Sequence, residues 1–170
     1  MRTPRPKIRR RLAASAIGCA MVLVAACASP AIEPKPQCDF NAYKQALQAT
    51  PPSAGPVLVT LPVGAVSDMP LNTVNITDVA ITNKVMVQAT NAKRLPSGQI
   101  ETYARLVNCT DYELQVEGRT HFLNEAQAPV EGATAWKRVF LPPRSIGHYD
   151  SRSTMTDQVA TYLIEIREGT

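Results

Sequence analysis

The stretch Gly147-His148-Tyr149-Asp150-Ser151-Arg152-Ser153 gathers an imidazole, a carboxylate and two hydroxyls, side-chain types that serve hydrolysis or metal binding. On an extended strand His148 and Asp150 share one face. A nucleophile, its base and the group that orients the base must converge, which neighbours along one strand do not, and no G-x-S-x-G turn accompanies them. A metal needs a ligand from elsewhere, and neither HExxH nor paired CxxC spacing is present. The only other histidine, His121, sits among charged neighbours, where solvation accounts for it. The eight glycines form no phosphate-binding loop, and no carboxylate pair stands out. The expectation is a chain without catalytic residues, a metal site or a dissociable cofactor.

The sulfur with the clearest chemistry is that of Cys27. The run Val24-Ala25-Ala26-Cys27 resembles a bacterial lipobox, in which small residues admit a signal peptidase to the bond before a cysteine whose thiol is acylated. Ahead of it, MRTPRPKIRRR carries Arg2, Arg5, Lys7, Arg9, Arg10 and Arg11 with no acidic residue, and the chain is then apolar to Ala26. Those are the basic and apolar regions of an export signal. The apolar run measures roughly 22 Å as a helix, short against a ~30 Å hydrocarbon core. Residues 1–26 are therefore read as a lipoprotein signal peptide, with a covalent lipid such as palmitate on Cys27. Three alternatives stand beside this reading: cleavage before Cys19 in Ala16-Ile17-Gly18-Cys19, ordinary cleavage or an uncleaved anchor, and a loose twin-arginine match at Arg9-Arg10-Arg11-Leu12.

Removing the signal changes the charge. The full chain has 18 Lys and Arg against 14 Asp and Glu, a net charge of +4 that invites a nucleic-acid reading. All six basic residues of the signal leave with it, so 12 remain against the same 14, a net charge of about −2. No block of Lys and Arg interleaved with aromatics is left, and nucleic acid is not an expected partner.

Once Cys19 is removed and Cys27 acylated, Cys38 and Cys109 are the remaining thiols. An exported pair most simply forms a disulfide in an oxidising periplasm. It closes a loop of about 71 residues, worth on the order of 4 kcal/mol in the chain-entropy model. Two separate free thiols are the alternative.

The elements that must position these groups follow from local pattern. Residues 27–37, "CASPAIEPKPQ", carry three prolines and form a stiff, extended tether of roughly 35 Å. Residues 38–52 hold a short helix over 40–49, with a cap at Asp39 or Asn41 and a stop at Pro51-Pro52. Residues 53–170 follow strand grammar. Strands are expected at 57–61, weakly at 74–81, and at 85–90, where Val85, Val87 and Ala89 alternate with Met86, Gln88 and Thr90. A turn follows over "AKRLPSG".

The clearest pair is 99–108 and 112–123. Tyr112, Leu114, Val116, Thr120 and Phe122 share one face of the latter, and Glu113, Gln115, Glu117, Arg119 and His121 share the other. The connector Cys109-Thr110-Asp111 is short enough for a hairpin. Further strands are expected at 135–141, 146–149 and 160–167, the last with Tyr162, Ile164 and Ile166 inward. So many short antiparallel strands with frequent turns indicate an all-β, immunoglobulin-like sandwich with a short N-terminal helix. Trp136 is expected as a core anchor, with exposed recognition as the alternative. The sequons at Asn75 and Asn108 are read as accidental in a bacterial chain. The polar set Glu113, Gln115, Glu117, Arg119 and His121 is the candidate docking face, although a plain solvated strand face accounts for the same pattern.

Arg105-Leu106-Val107-Asn108 followed by Thr110, the strand ending at Phe122, then Trp136, Leu141-Pro142 and Ile146 give the sequence a similarity to the YcfL-type bacterial envelope lipoproteins, over about residues 79–166 plus the lipobox. The cysteine pair and the segment 121–126 depart from that pattern. The resemblance implies an immunoglobulin-like periplasmic domain without a catalytic assignment, near the cell-wall synthesis machinery. Ala28 after Cys27 is not the aspartate that commonly retains lipoproteins at the inner membrane. The expected place is thus the periplasmic face of the bacterial outer membrane, the expected partners are the membrane itself and an envelope protein, and the expected role is a non-catalytic accessory or docking module. A sandwich that binds a lipid or glycan is the alternative, and a hydrolase using His148 and nearby serines is the third.

Overall fold

Chain order and strand order diverge at the first corner. The computed structural model describes residues 38–49, 63–156 and 158–170. The signal peptide expected at 1–26, the lipidation expected at Cys27, the tether expected to residue 37 and the strand expected at 57–61 lie outside the described residues. The strands are β1 (Val66–Met69), β2 (Val74–Ile76), β3 (Val85–Arg94), β4 (Ile100–Asn108), β5 (Leu114–Leu123), β6 (Lys137–Leu141), β7 (Ile146–Arg152) and β8 (Thr161–Glu168). They form two four-stranded sheets, one ordered β1-β3-β4-β7 and the other β2-β8-β5-β6. The architecture is the expected all-β sandwich, antiparallel except where β2 runs parallel to β8.

The expected hairpin at Cys109-Thr110-Asp111 is instead a corner between sheets, because β4 and β5 belong to different sheets. Asn108 makes that corner. Fully buried, it donates from Nδ2 to the carbonyls of Tyr112 (2.8 Å), Leu141 (2.9 Å) and Pro142 (3.0 Å). Its Oδ1 accepts from the backbone N–H of Thr110 at 2.8 Å and from the Thr110 hydroxyl at 2.7 Å. The Asn-x-Thr spacing thus serves chain reversal, because both side chains are spent on backbone groups that the corner leaves without ladder partners. Tyr112, expected inward, precedes β5 and is 53% exposed.

Two further expectations change for local reasons. The strand at 74–81 is interrupted after β2, where Asp78 caps a short 3-10 turn over Val79–Ile81 by accepting from the Ala80 N–H at 2.9 Å. The alternation at 85–90 breaks at a bulge between Val87 and Ala89. Val85, Met86 and Val87 are all buried, and past the bulge Thr90 and Ala92 face the core. A bulge reverses the phase of every later residue. Consequently Thr90 reaches Tyr162 across the sandwich, hydroxyl to hydroxyl at 3.3 Å, and Thr73 at 3.0 Å. A second cross-sheet pair, Tyr149 and Thr120, lies at 3.0 Å. Burial pushes the Tyr162 phenol up to about 12 despite hydrogen bonds to Thr90 and Thr73.

Between the sheets, Ile81, Val87, Ile100, Leu106, Phe122, Leu141, Tyr149, Ile164 and Ile166 are essentially inaccessible. Tyr162, Ile164 and Ile166 point inward as expected. The helix α1 (Phe40–Ala49) forms where expected, with Asp39 as the cap, accepting at 3.0 Å from the N–H of both Asn41 and Ala42. Ten residues are too few for a stable isolated helix in water. Tyr43 packs against the core with Leu71 and Ile76, Phe40 and Leu47 are half-buried, and Cys38 is bonded to Cys109 with a Cα–Cα distance of 5.7 Å. Half-burying a tyrosine supplies about 1–2 kcal/mol, whereas ordering ten residues costs several times that.

Candidate functional site

The outer face of the β2-β8-β5-β6 sheet is built by register. Glu117 of β5 lies between Arg167 of β8 and Arg138 of β6, each its direct cross-strand neighbour. Arg167 donates to Glu117 from Nη2 at 2.8 Å and from Nε at 3.1 Å, and Arg138 donates from Nη2 at 3.0 Å. In the next row Arg119 faces Glu165, and Arg119 and His121 share one oxygen of that carboxylate, His121 Nε2 at 3.1 Å. Opposite charges placed directly across a ladder are the arrangement a sheet stabilises.

Trp136, just before β6, joins the two rows. The guanidinium carbons of Arg119 and Arg167 lie 4.6 and 3.9 Å from its ring centroid. Arg119 and Arg167 are diagonal neighbours on β5 and β8, so one indole covers both. This corrects the expectation of a core anchor: Trp136 is half-buried, outside the inter-sheet core, and lies on the arginines of the outer face. The physical reason is its phase. Val139 and Leu141 of β6 point inward, which turns Phe140 outward, 58% exposed, and leaves Trp136 ahead of the strand.

The electrostatics follow from these contacts. The guanidinium of Arg167, then that of Arg138, holds the Glu117 carboxyl below its ordinary range. For Glu165 burial acts most strongly and pushes upward, but Arg119 and His121 together outweigh it and leave the group lowered. Both are carboxylates at neutral pH, so the face presents three arginines against two acidic side chains, with His121 at its border.

Of the docking residues expected from sequence, Gln115, Glu117, Arg119 and His121 share this face. Glu113 precedes β5 and is exposed. The face is not a freely solvated one: Glu117 is only 7% exposed. Sequence reasoning missed Arg138, Glu165 and Arg167. The alternation of β8, with Tyr162, Ile164 and Ile166 inward, already put Glu165 and Arg167 outward, but not which strand they would adjoin.

Of the groups first singled out for chemistry, His148 and Asp150 share one exposed face of β7, as expected, while Ser153 is buried. His148 and Asp150 are exposed on β7 in the other sheet, opposite Arg105 and Tyr103. Asp150 pairs with Lys137 at 2.6 Å. The Ser153 hydroxyl is buried, accepts from the Ile100 N–H at 2.9 Å and donates to the Met155 carbonyl at 2.8 Å. Such an oxygen is committed to the backbone rather than poised for attack. Among the described residues no group of three or more His, Cys, Asp or Glu side chains is arranged to hold a metal. The buried core side chains lie between the sheets, and two recesses of about 280 and 170 Å³ lie on either side of Tyr43, against α1.

Neither a family model nor a curated protein matches the sequence. Among solved structures the chain is similar to cj0090 of Campylobacter jejuni, at 12% identity over 58% of this chain and 99% of that one, with a TM-score of 0.45. It is also similar to a DUF1425 family member from Shewanella sp. pv-4, at 16% identity over 51% of this chain and 79% of that one, with a TM-score of 0.43.

Proposed function

We propose that the protein is a lipid-anchored envelope protein whose sandwich serves as a non-catalytic docking module, held to the periplasmic face of the outer membrane through Cys27. The observation that carries the docking role is Trp136 stacked on Arg119 and Arg167 over a face whose ion pairs are already formed. Tryptophan and arginine dominate protein-binding hot spots, and a preorganised set loses little side-chain entropy on association. The anchoring is supported by the basic and apolar segments ahead of Val24-Ala25-Ala26-Cys27, and the envelope compartment by the Cys38–Cys109 bond. The resemblance over residues 79–166 to YcfL-type envelope lipoproteins points the same way. The mechanism is tethering, which raises the effective concentration of the module near a membrane-associated partner.

The test is recovery of partners from detergent-solubilised bacterial envelopes with the full chain, its Cys27→Ser variant and its Trp136→Ala variant, alongside metabolic labelling with a palmitate analogue. The reading expects label on the parent only and at least tenfold loss of the recovered partner in both variants. Equal recovery from all three forms overturns it.

A further inference from the structure

We propose that β7 is a self-recognising edge, through which two copies of the chain pair antiparallel about a two-fold axis into one continuous sheet. β7 ends the order β1-β3-β4-β7, and its register with β4 runs unbroken from Ile146 to Arg152. At its two ends the Ser145 carbonyl accepts from the Asn108 N–H and the Ser153 N–H donates to the Ile100 carbonyl, both at 2.9 Å. Backbone direction alternates along a strand, so Gly147, Tyr149 and Ser151 turn theirs to β4 as well. Ile146, His148, Asp150 and Arg152 turn theirs away. Among the described residues only Lys137 Nζ reaches that outer row, 3.4 Å from the Asp150 carbonyl, which keeps a second lone pair. β6 does not occupy the place of a further strand. A Cβ on Gly147 would point to the core and meet Leu141 Cδ2 at 2.2 Å, so β6 packs beneath β7 rather than beside it.

The side chains select both the partner and the register. Charges on an edge ordinarily deter pairing, but here they match a second copy of themselves. With Tyr149 facing Tyr149 of the second copy, His148 and Asp150 lie directly opposite one another on both sides of the axis, and each such pair exchanges two backbone hydrogen bonds. β4 places Tyr103 behind Asp150 and Arg105 behind His148. The row across the joint therefore reads Tyr103, Asp150, His148, Arg105: a carboxylate against an imidazole backed by a guanidinium, which a ladder favours. Asp150 already pairs with Lys137 at 2.6 Å, and its remaining lone pairs are open to the imidazole. Ile146, 42% exposed, meets Arg152, whose alkyl stem covers it. Centring the axis on Asp150 instead opposes the two carboxylates, and centring it on His148 gathers both imidazoles and both Arg105 guanidinia in one row. The two-fold uses the free edge of each copy, so association closes at the dimer. This joint lies on the sheet away from Trp136 and rests on neither the docking face nor the anchoring proposed above.

The experiment is sedimentation equilibrium of the purified full chain in density-matched detergent, from about 5 to 500 µM, the range suited to a small, transient interface. The parent is compared with His148→Asp, with Asp150→Lys and with an equimolar mixture of the two variants. The parent is expected to pass from monomer to dimer and no further. Each variant alone opposes acid to acid or base to base, and should dimerise at least tenfold more weakly. In the mixture every His148 and Asp150 position again faces a group of the other kind, so dimer should return to at least the parent's level. Hydrogen exchange on the parent needs no variant: the His148 and Asp150 amides should gain protection as concentration rises. A parent that stays monomeric overturns the proposal, and so does growth beyond the dimer or unchanged exchange at those amides. Dimerisation that both variants retain, or a mixture that stays monomeric, overturns it as well.

Discussion

Arg167 meets Trp136 with its guanidinium carbon 3.9 Å from the ring centroid while its Nη2 donates to Glu117 at 2.8 Å. One guanidinium thereby spends its plane on an indole and its edge on a carboxylate, which fixes it without enclosing it. Arg119 repeats the arrangement with Trp136 and Glu165. Cation–π contacts at partly exposed sites contribute about 0.5–1 kcal/mol each. Trp136→Ala should therefore cost about 1–2 kcal/mol in urea unfolding followed by circular dichroism. A core tryptophan would cost about 3–5 kcal/mol, so a loss of that size would count against the outer-face assignment. Trp136→Phe should retain much of the contact.

Acid should weaken the fold through the same face. Glu117 is held below its ordinary value of 4.5 by Arg167 and Arg138. Glu165 is also lowered, as Arg119 and His121 overcome the opposing effect of burial, and on the other sheet Glu101 is lowered by Arg152 and then Tyr103. Each binds its proton more readily in the unfolded chain. The stabilisation is complete above pH 4.5 and is lost as pH falls through the folded values. Melting temperature measured between pH 2 and 7 should be level near neutrality and fall through the acid range. Glu117→Gln should lower the neutral plateau and flatten that fall; a variant with the parent's slope would remove Glu117 as a contributor.

The strands that alternate strictly were the legible part of the fold. In β5 and β8 the side-chain period of two decides which residues are buried, so Leu114, Val116, Phe122, Ile164 and Ile166 could be assigned inward from pattern alone. What was not legible is pairing. Nothing in the spacing of Glu117 announces Arg167, 50 residues away, because register is set by how the whole sheet assembles. A short polar connector likewise reads the same for a hairpin as for a corner, and the difference at Cys109-Thr110-Asp111 lies in where the Asn108 amide finds its acceptors. Trp136 misled because hydrophobic size favours the core, whereas its phase relative to β6 does not.

Asn108→Ala should be among the most damaging polar substitutions. The amide serves the Tyr112, Leu141 and Pro142 carbonyls at once, and with it gone the corner must reach water or leave those oxygens unpaired. A buried, unpaired polar group costs about 1–3 kcal/mol. The expected loss is about 3 kcal/mol in urea unfolding, and Asn108→Asp should recover little, because a carboxylate cannot donate to those carbonyls. Stability within about 0.5 kcal/mol of the parent would mean that the corner is held by other groups.

Gly118→Ala sets two effects of opposite sign against each other. Alanine in a strand interior is ordinarily favoured over glycine by about 0.5–1 kcal/mol, through the smaller entropy lost on folding. Here a Cβ would come within 2.5 Å of Cδ2 and Cε2 of Tyr149 and 3.0 Å of Cδ1 of Ile166. The Tyr149 ring has little room to yield, because it is buried and its hydroxyl pairs with Thr120 across the sandwich at 3.0 Å. Overpacking of that kind costs about 1–3 kcal/mol, so the clash wins and the variant should be net destabilised by about 1–2 kcal/mol. Adding Tyr149→Leu removes the ring edge that the methyl meets, and the double mutant should therefore be more stable than the sum of the single losses by about 1 kcal/mol. Additive losses in that cycle would show that the methyl is accommodated elsewhere, by movement of β5 itself.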